Sequence, residues 1–313
     1  MSSTRQTKAV SDCVVVALNI KIWCGEVTLR RNEDLAGVSG LPPKELVSDG
    51  SKRVIDPKHL TPLESQRRVV ARELADMGVA TPMGFIIAPE REAEVYSFMA
   101  EREQKFADAR QHLLDNFDRF CLEWEEKEGN APFQGLLRRN RPLASDVAKS
   151  CHFDYAVYKV EPVASQAGAE RFAAVASTTT NALIADIASS ADSILRKSFL
   201  GKSKAQERSV NLVRRLVAKL QGFAMFDPRI GPTADALTSV LDGLPKAGPV
   251  DASGVMVIIA LLKSIINPDD LLAVGQRMLA DAEEVDPTSP APSKSPAPAV
   301  EDSTTSIADA VVF

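Results

Sequence analysis

The stretch that decides the fold is PEREAEVYSFMAEREQKFADARQHLLDNFDRFCLEWEEKEG, Pro89–Gly129. Val95, Met99, Phe106, Ala109, Leu113, Phe117, Phe120 and Trp124 recur at steps of three, four and seven, which keeps them on one stripe of a 3.6-residue period. Glu101, Glu103, Lys105, Asp108, Asp115, Asp118, Glu123, Glu125, Glu126 and Lys127 fill the opposite face. Pro89 suits a first helical turn, where its missing N–H leaves nothing unsatisfied, and Gly129 suits a stop. At about 1.5 Å per residue such a helix runs roughly 60 Å. That length predicts a second long helix packed alongside, in this chain or in another copy. The stripe is a core stripe, and Trp23, Phe120 and Trp124 are read as core.

The flanking segments supply the partners. Gln166–Leu200, with Phe172, Val175, Ala176, Thr179, Leu183, Ile187, Ala191, Ile194 and Leu195 on one stripe, is the natural antiparallel mate for the first helix. Cys13–Trp23 alternates Val14, Val16, Leu18, Ile20 and Ile22 with other residues, the pattern of a strand with one fully apolar face. Phe153–Val160 (FDYAVYKV) is a second strand, expected to pair with the first and to need helices over one face. Thr61-Pro62-Leu63-Glu64 matches a capping box opening a helix to Met77, and Val79–Ala88 is either a short strand or a buried connector. Further helices are expected at Ser203–Leu220, Thr233–Asp242, Ala252–Ile266 and Pro268–Glu283, the last capped by Asn267.

The architecture this predicts is mainly α with a small β element. It comprises a long antiparallel helical hairpin of coiled-coil type, a two- to three-stranded antiparallel sheet and a C-terminal helical subdomain. The divisions are a flexible N-terminus over 1–11, a strand and long-helix core over 12–222, the helical subdomain over 223–284 and a Pro/Ser/Ala tail over 285–313. The tail is too polar to bury its own length, and it carries a terminal apolar motif, Ile307, Val311, Val312 and Phe313, as a docking peptide for a partner.

Composition bounds the function. The chain has 313 residues, 45% hydrophobic and 25% charged, with 5% aromatics, so its core rests on Ala, Val, Leu and Ile. A net charge of -5 argues against a surface coated in nucleic acid, although a local basic patch is compatible with it. Cys13, Cys24, Cys121 and Cys151 are scattered without a CxxC, which points to reduced thiols rather than a disulfide framework or zinc site. The longest apolar run, Val255–Leu262, is short of the roughly 20 residues that span a bilayer. A cytoplasmic protein with no membrane partner is expected.

Motifs for chemistry are sparse. Gly201-Lys202-Ser203 mimics the end of a P-loop, but Arg196 stands where the loop needs its first glycine. His59, His112 and His152 are isolated, and no HExxH or GxSxG occurs. No catalytic, cofactor or metal residue is therefore singled out, and a non-enzymatic role is expected. The one cluster with a functional reading is basic: Arg196, Lys197, Lys202, Lys204, Arg208, Arg214, Arg215 and Lys219, with Glu207 the lone acid among them. It is either a phosphate-contacting surface or a solvated helix face, and the absence of interleaved aromatics weighs against single-strand binding.

Leu18-Asn19-Ile20, Ile22-Trp23-Cys24-Gly25, Leu29, Glu33-Asp34-Leu35, Gly50-Ser51-Lys52-Arg53, Asp56-Pro57-Lys58 and Gly84 with the following Ile87-Ala88-Pro89 resemble the bacterial family termed domain of unknown function 3150. The resemblance covers about Asp12 to Val160, with Cys24 standing where a small serine is expected. It implies a protein of plasmids, integrative elements or phages, encoded beside a MoxR-type AAA+ ATPase and a von Willebrand-A protein similar to cobaltochelatase subunits. The expected function is a non-enzymatic adaptor or structural partner of that pair. The alternative is a nucleic-acid-associated protein using the basic stretch 196–219, and a homo-oligomer through the long helices is compatible with either.

Overall fold

The computed structural model describes residues 2–36, 42–43 and 45–284. The tail 285–313, with Ile307, Val311, Val312 and Phe313, lies outside the described residues. Ser2–Asp12 is a helix (α1), not the loose lead-in its polar composition suggests. Ala9 and Val10 are buried on it and anchor the segment. Val14–Lys21 (β1), Glu26–Thr28 (β2), Arg31–Asp34 (α2) and Ser51–Arg53 (β3) follow, then Thr61–Met77 (α3) and a hairpin, Gly78–Thr81 (β4) with Gly84–Ile87 (β5). Glu92–Asp115 (α4), Phe117–Glu126 (α5), Gln134–Arg138 (α6), Ala144–Ser150 (α7) and His152–Tyr158 (β6) complete the first half. The second half is helical: Gln166–Ile194 (α8), Glu207–Gly222 (α9), Ile230–Asp242 (α10), Ala252–Ile265 (α11) and Pro268–Glu284 (α12).

The sheet runs β4-β5-β1-β6, antiparallel throughout, and β2–β3 form a separate ribbon. β1 pairs with β6 as the sequence predicts, from Val15 opposite Tyr158 to Lys21 opposite His152. Its Val14-Val15-Val16 run is buried on both faces. Val15 joins Ile86 and Val79 on one side, where α1, α8, α9, α10 and α11 pack. Val14, Val16 and Ile87 face the other way, onto α3, α4, α5 and α7. A strand apolar on both faces needs a helical layer over each. Gly84, at φ +126, turns the hairpin so close to β1 that a Cβ would meet the Val16 carbonyl.

This two-sided sheet corrects the helical pairing. Val95, Met99, Phe106, Leu113, Phe117 and Phe120 are buried as the stripe predicts, and Ala109 and Trp124 partly so. The helix is broken at Asn116, whose side chain donates to the His112 carbonyl at 2.9 Å and ends α4. The antiparallel mate of α4 is α3: Arg102 Nη1 meets Gln66 Oε1 and Arg91 Nη1 meets the Met77 carbonyl. α8 covers the opposite face instead, packed on α1, α9 and α11.

Two smaller expectations also change. The capping box does not form. Leu60 is the N-cap of α3, and Thr61 Oγ1 donates to the Pro57 carbonyl at 3.3 Å, within a tight turn capped by Asp56. Nor do α10–α12 form a subdomain of their own. Phe223, Phe226, Ile230, Leu241 and Ile258 belong to the same buried cluster as Leu183 and Ile187 of α8. Asn267 does cap α12, accepting from the Asp269 N–H at 3.1 Å.

Polar welds close the α5–α6 end. The Lys52 ammonium is buried and donates to Asp34 Oδ1 (2.7 Å) and to the carbonyls of Leu136 (2.8 Å) and Arg139 (2.6 Å), which uses all three of its N–H groups. Buried Glu125 accepts from Arg138 at 2.6 Å and Arg141 at 3.2 Å. Nearby, the His59 ring stacks on Phe120 at 3.6 Å between centroids, with Nε2 3.8 Å from Glu123. Burial, and then Lys58, hold the His59 imidazole below its ordinary 6.5. The unfolded chain therefore takes up that proton at a higher pH than the folded chain, so stability falls as pH drops through 6.5. Urea midpoints measured from neutral pH downward should show the decline. His59→Phe, which keeps an aromatic ring on Phe120, should flatten it, and an unchanged slope would contradict a buried neutral ring.

Candidate functional site

The basic stretch does not form one surface. α9 is amphipathic, with Val210, Val213, Leu216, Val217 and Leu220 buried, and its cations leave that core in different directions. Lys219 is itself buried, donating to Asp186 Oδ2 and to the Ala75 carbonyl, both at 2.6 Å. Arg214 reaches the Pro245 carbonyl at 3.1 Å, and Arg196 is paired with Asp192 at 2.8 Å. Arg215 approaches Glu73 only to 4.0 Å. Lys202 donates to the Lys197 carbonyl. Lys197, Lys204 and Arg208 stand exposed. Gly201-Lys202-Ser203 follows a π-helical turn, Leu195–Phe199, with Gly201 at φ +73 ending the helix rather than opening a phosphate loop.

The geometry instead assembles a groove between α3, α8 and α9. Its inner end is a pocket of ≈ 230 Å³ with Asp76 from α3, Asp186, Ser190 and Ser193 from α8, and Arg215 and Lys219 from α9. Arg72, Glu73, Glu207 and Arg208 extend it outward. Burial and then Glu73 push the Asp76 carboxyl above the usual carboxylate range, against the pull of Lys219, Arg72 and Arg215. No local spacing marks this site, because its members lie on three helices and Asp76 precedes Asp186 by more than one hundred residues of chain.

A second feature is the outer side of α11. Val255, Ile258, Leu261, Leu262 and Ile265 face the core, yet Met256 is 70% and Val257 41% exposed, with Ala260 exposed beside them. The helix is apolar nearly all round and only one side is covered. Its signal in the sequence is the continuous run Val255–Leu262.

The three buried thiols, Cys13, Cys121 and Cys151, are poor nucleophiles. Burial pushes Cys13 up to about 12 and Cys121 to about 11, and the buried Cys151 Sγ accepts from the Trp23 N–H at 3.3 Å. Among the described residues no three His, Cys, Asp or Glu converge on a metal position, and no helix is long and apolar enough to cross a membrane.

A family model described as "Protein of unknown function (DUF3150)" matches residues 10–267. The chain belongs to this family. The DUF3150 match runs from the end of α1 to the cap of α12. It takes in both helical layers, well beyond the Asp12–Val160 stretch that carries the resemblance. No curated protein and no solved structure matches the chain.

Lys219 is a structural lysine, and the exposed Lys197 and Lys204 are not. Lys219→Met removes both of its hydrogen bonds and costs about 2 kcal/mol of unfolding free energy, discounted for the half-exposed Asp186. Lys197→Ala and Lys204→Ala stay within roughly 0.5 kcal/mol of wild type. Urea denaturation of the three variants checks this, and equal effects would contradict it.

Proposed function

We propose that the chain is a non-enzymatic adaptor or structural protein of a mobile genetic element, acting in the bacterial cytoplasm with a MoxR-type AAA+ ATPase and a von Willebrand-A protein. The observation that carries this reading is the uncovered side of α11. A methionine 70% exposed on a helix apolar nearly all round supports a surface that another protein covers. The choice of partners rests on the family resemblance, as does the mobile-element setting. In this reading the three-layer body is the rigid part, and Ile307, Val311, Val312 and Phe313 are a further docking peptide. α4 and α8 bury their stripes within the chain, so a second copy would meet it elsewhere than along the long helices.

One observation favours a second reading. Lys197, Lys204 and Arg208 are exposed without an acidic group within 4.0 Å among the described residues, which suits contact with phosphates. Binding of that kind would weaken steeply with salt. Lys197, Lys204 and Arg208 are the residues to reverse for that reading, since Arg214 and Lys219 are engaged in the fold.

A tagged pull-down from the native host, with and without nuclease, separates the two readings. The adaptor reading expects an AAA+ ATPase and a von Willebrand-A protein to survive nuclease with the wild-type chain and to be lost with Met256→Glu. Recovery of nuclease-sensitive material alone would overturn it in favour of nucleic acid.

A further inference from the structure

The inner pocket between α3, α8 and α9 holds two pairs of opposite charges in different states. Lys219 and Asp186 are closed on each other at 2.6 Å. Asp76 and Arg215 line the same pocket but do not close: the nearest carboxylate to Arg215 is Glu73, at 4.0 Å. The Asp76 carboxylate accepts no hydrogen bond and closes no ion pair within 4.0 Å among the described residues, although it feels Arg215 and Lys219 electrostatically. Ser190 and Ser193 line the same pocket, and neither hydroxyl is committed to the carbonyl one turn back, unlike those of Thr178, Thr179 and Thr180 on the same helix.

Both side chains reach solvent, Arg215 with 68% of its side chain exposed, and an unclosed pair of this kind is matched best by a ligand that carries both charges. A lone anion answers Arg215 and leaves Asp76 facing it, and a lone cation does the reverse. Ile194, Leu212 and Leu216 form the apolar part of the wall, and Leu212 is 41% exposed. At ≈ 230 Å³ the pocket is below the roughly 300 Å³ at which drug-sized ligands begin. We propose that this pocket binds a small zwitterion of the α-amino-acid class, its carboxylate on Arg215 and the serine hydroxyls, its ammonium on Asp76, and an apolar side chain on Leu212. Buried Lys219, with two of its three N–H groups used, sets the floor and offers its third donor to the carboxylate. An arriving ammonium also pulls the Asp76 carboxyl back down toward the usual carboxylate range.

The test is calorimetry and thermal melting of the full chain against a panel of free amino acids, with the N-acetyl and carboxamide derivatives of any that bind. Saturable binding is expected for at least one amino acid with an apolar side chain, and masking either end should abolish it. Arg215→Gln and Asp76→Asn should each weaken binding about tenfold or more, without lowering the melting temperature of the unliganded chain, since neither residue closes an ion pair tighter than 4.0 Å. The proposal is overturned if no panel member binds, or if masked derivatives bind equally well. It is also overturned if the melting rise never saturates and persists in both variants, which is solute exclusion rather than a site.

Discussion

Everything in this fold depends on burying Val14-Val15-Val16 from both sides. The three are at most 2% exposed, and each is worth roughly 1.5–3 kcal/mol when taken fully out of water. Because successive strand residues point to opposite faces, that gain requires two separate helical layers. The β4–β5 hairpin and α3–α4 supply one neighbour and one layer, and α8 with the C-terminal helices supplies the other. The long helices are therefore separated by the sheet instead of zipped together.

Periodicity made the elements legible and left their partners open. The stripe from Val95 to Phe120 is a buried stripe, but a stripe states only that something covers it. Whether that is α3 or α8 depends on the sheet between them, and the sheet's second apolar face shows in the sequence only as Val15 amid an alternating pattern. Asn116 was equally ambiguous, since one asparagine within a good helical pattern breaks it only when its side chain returns to the backbone. At the N-terminus, Ala9, Val10 and Cys13 are the apolar anchors among the described residues of a polar segment, and tertiary contact with α8 makes it a helix.

The sites were less legible still. Counting cations by type grouped Lys219 with Lys197, although one is a buried structural link and the other a solvated side chain. The difference arises from Asp186 and the Ala75 carbonyl, which meet Lys219 only after α3, α8 and α9 have packed. The groove has the same origin. The α11 face is the exception, since a run of eight apolar residues on an expected helix is visible in the sequence itself.

The central claim is that one cooperative unit spans the sheet and includes α10–α12. Native-state hydrogen exchange under rising urea tests it most directly. The slowest amides of β1, α4, α8 and α11 should converge on one unfolding free energy. Exchange of α10–α12 through a separate, lower-energy opening, while β1 stays protected, would contradict it.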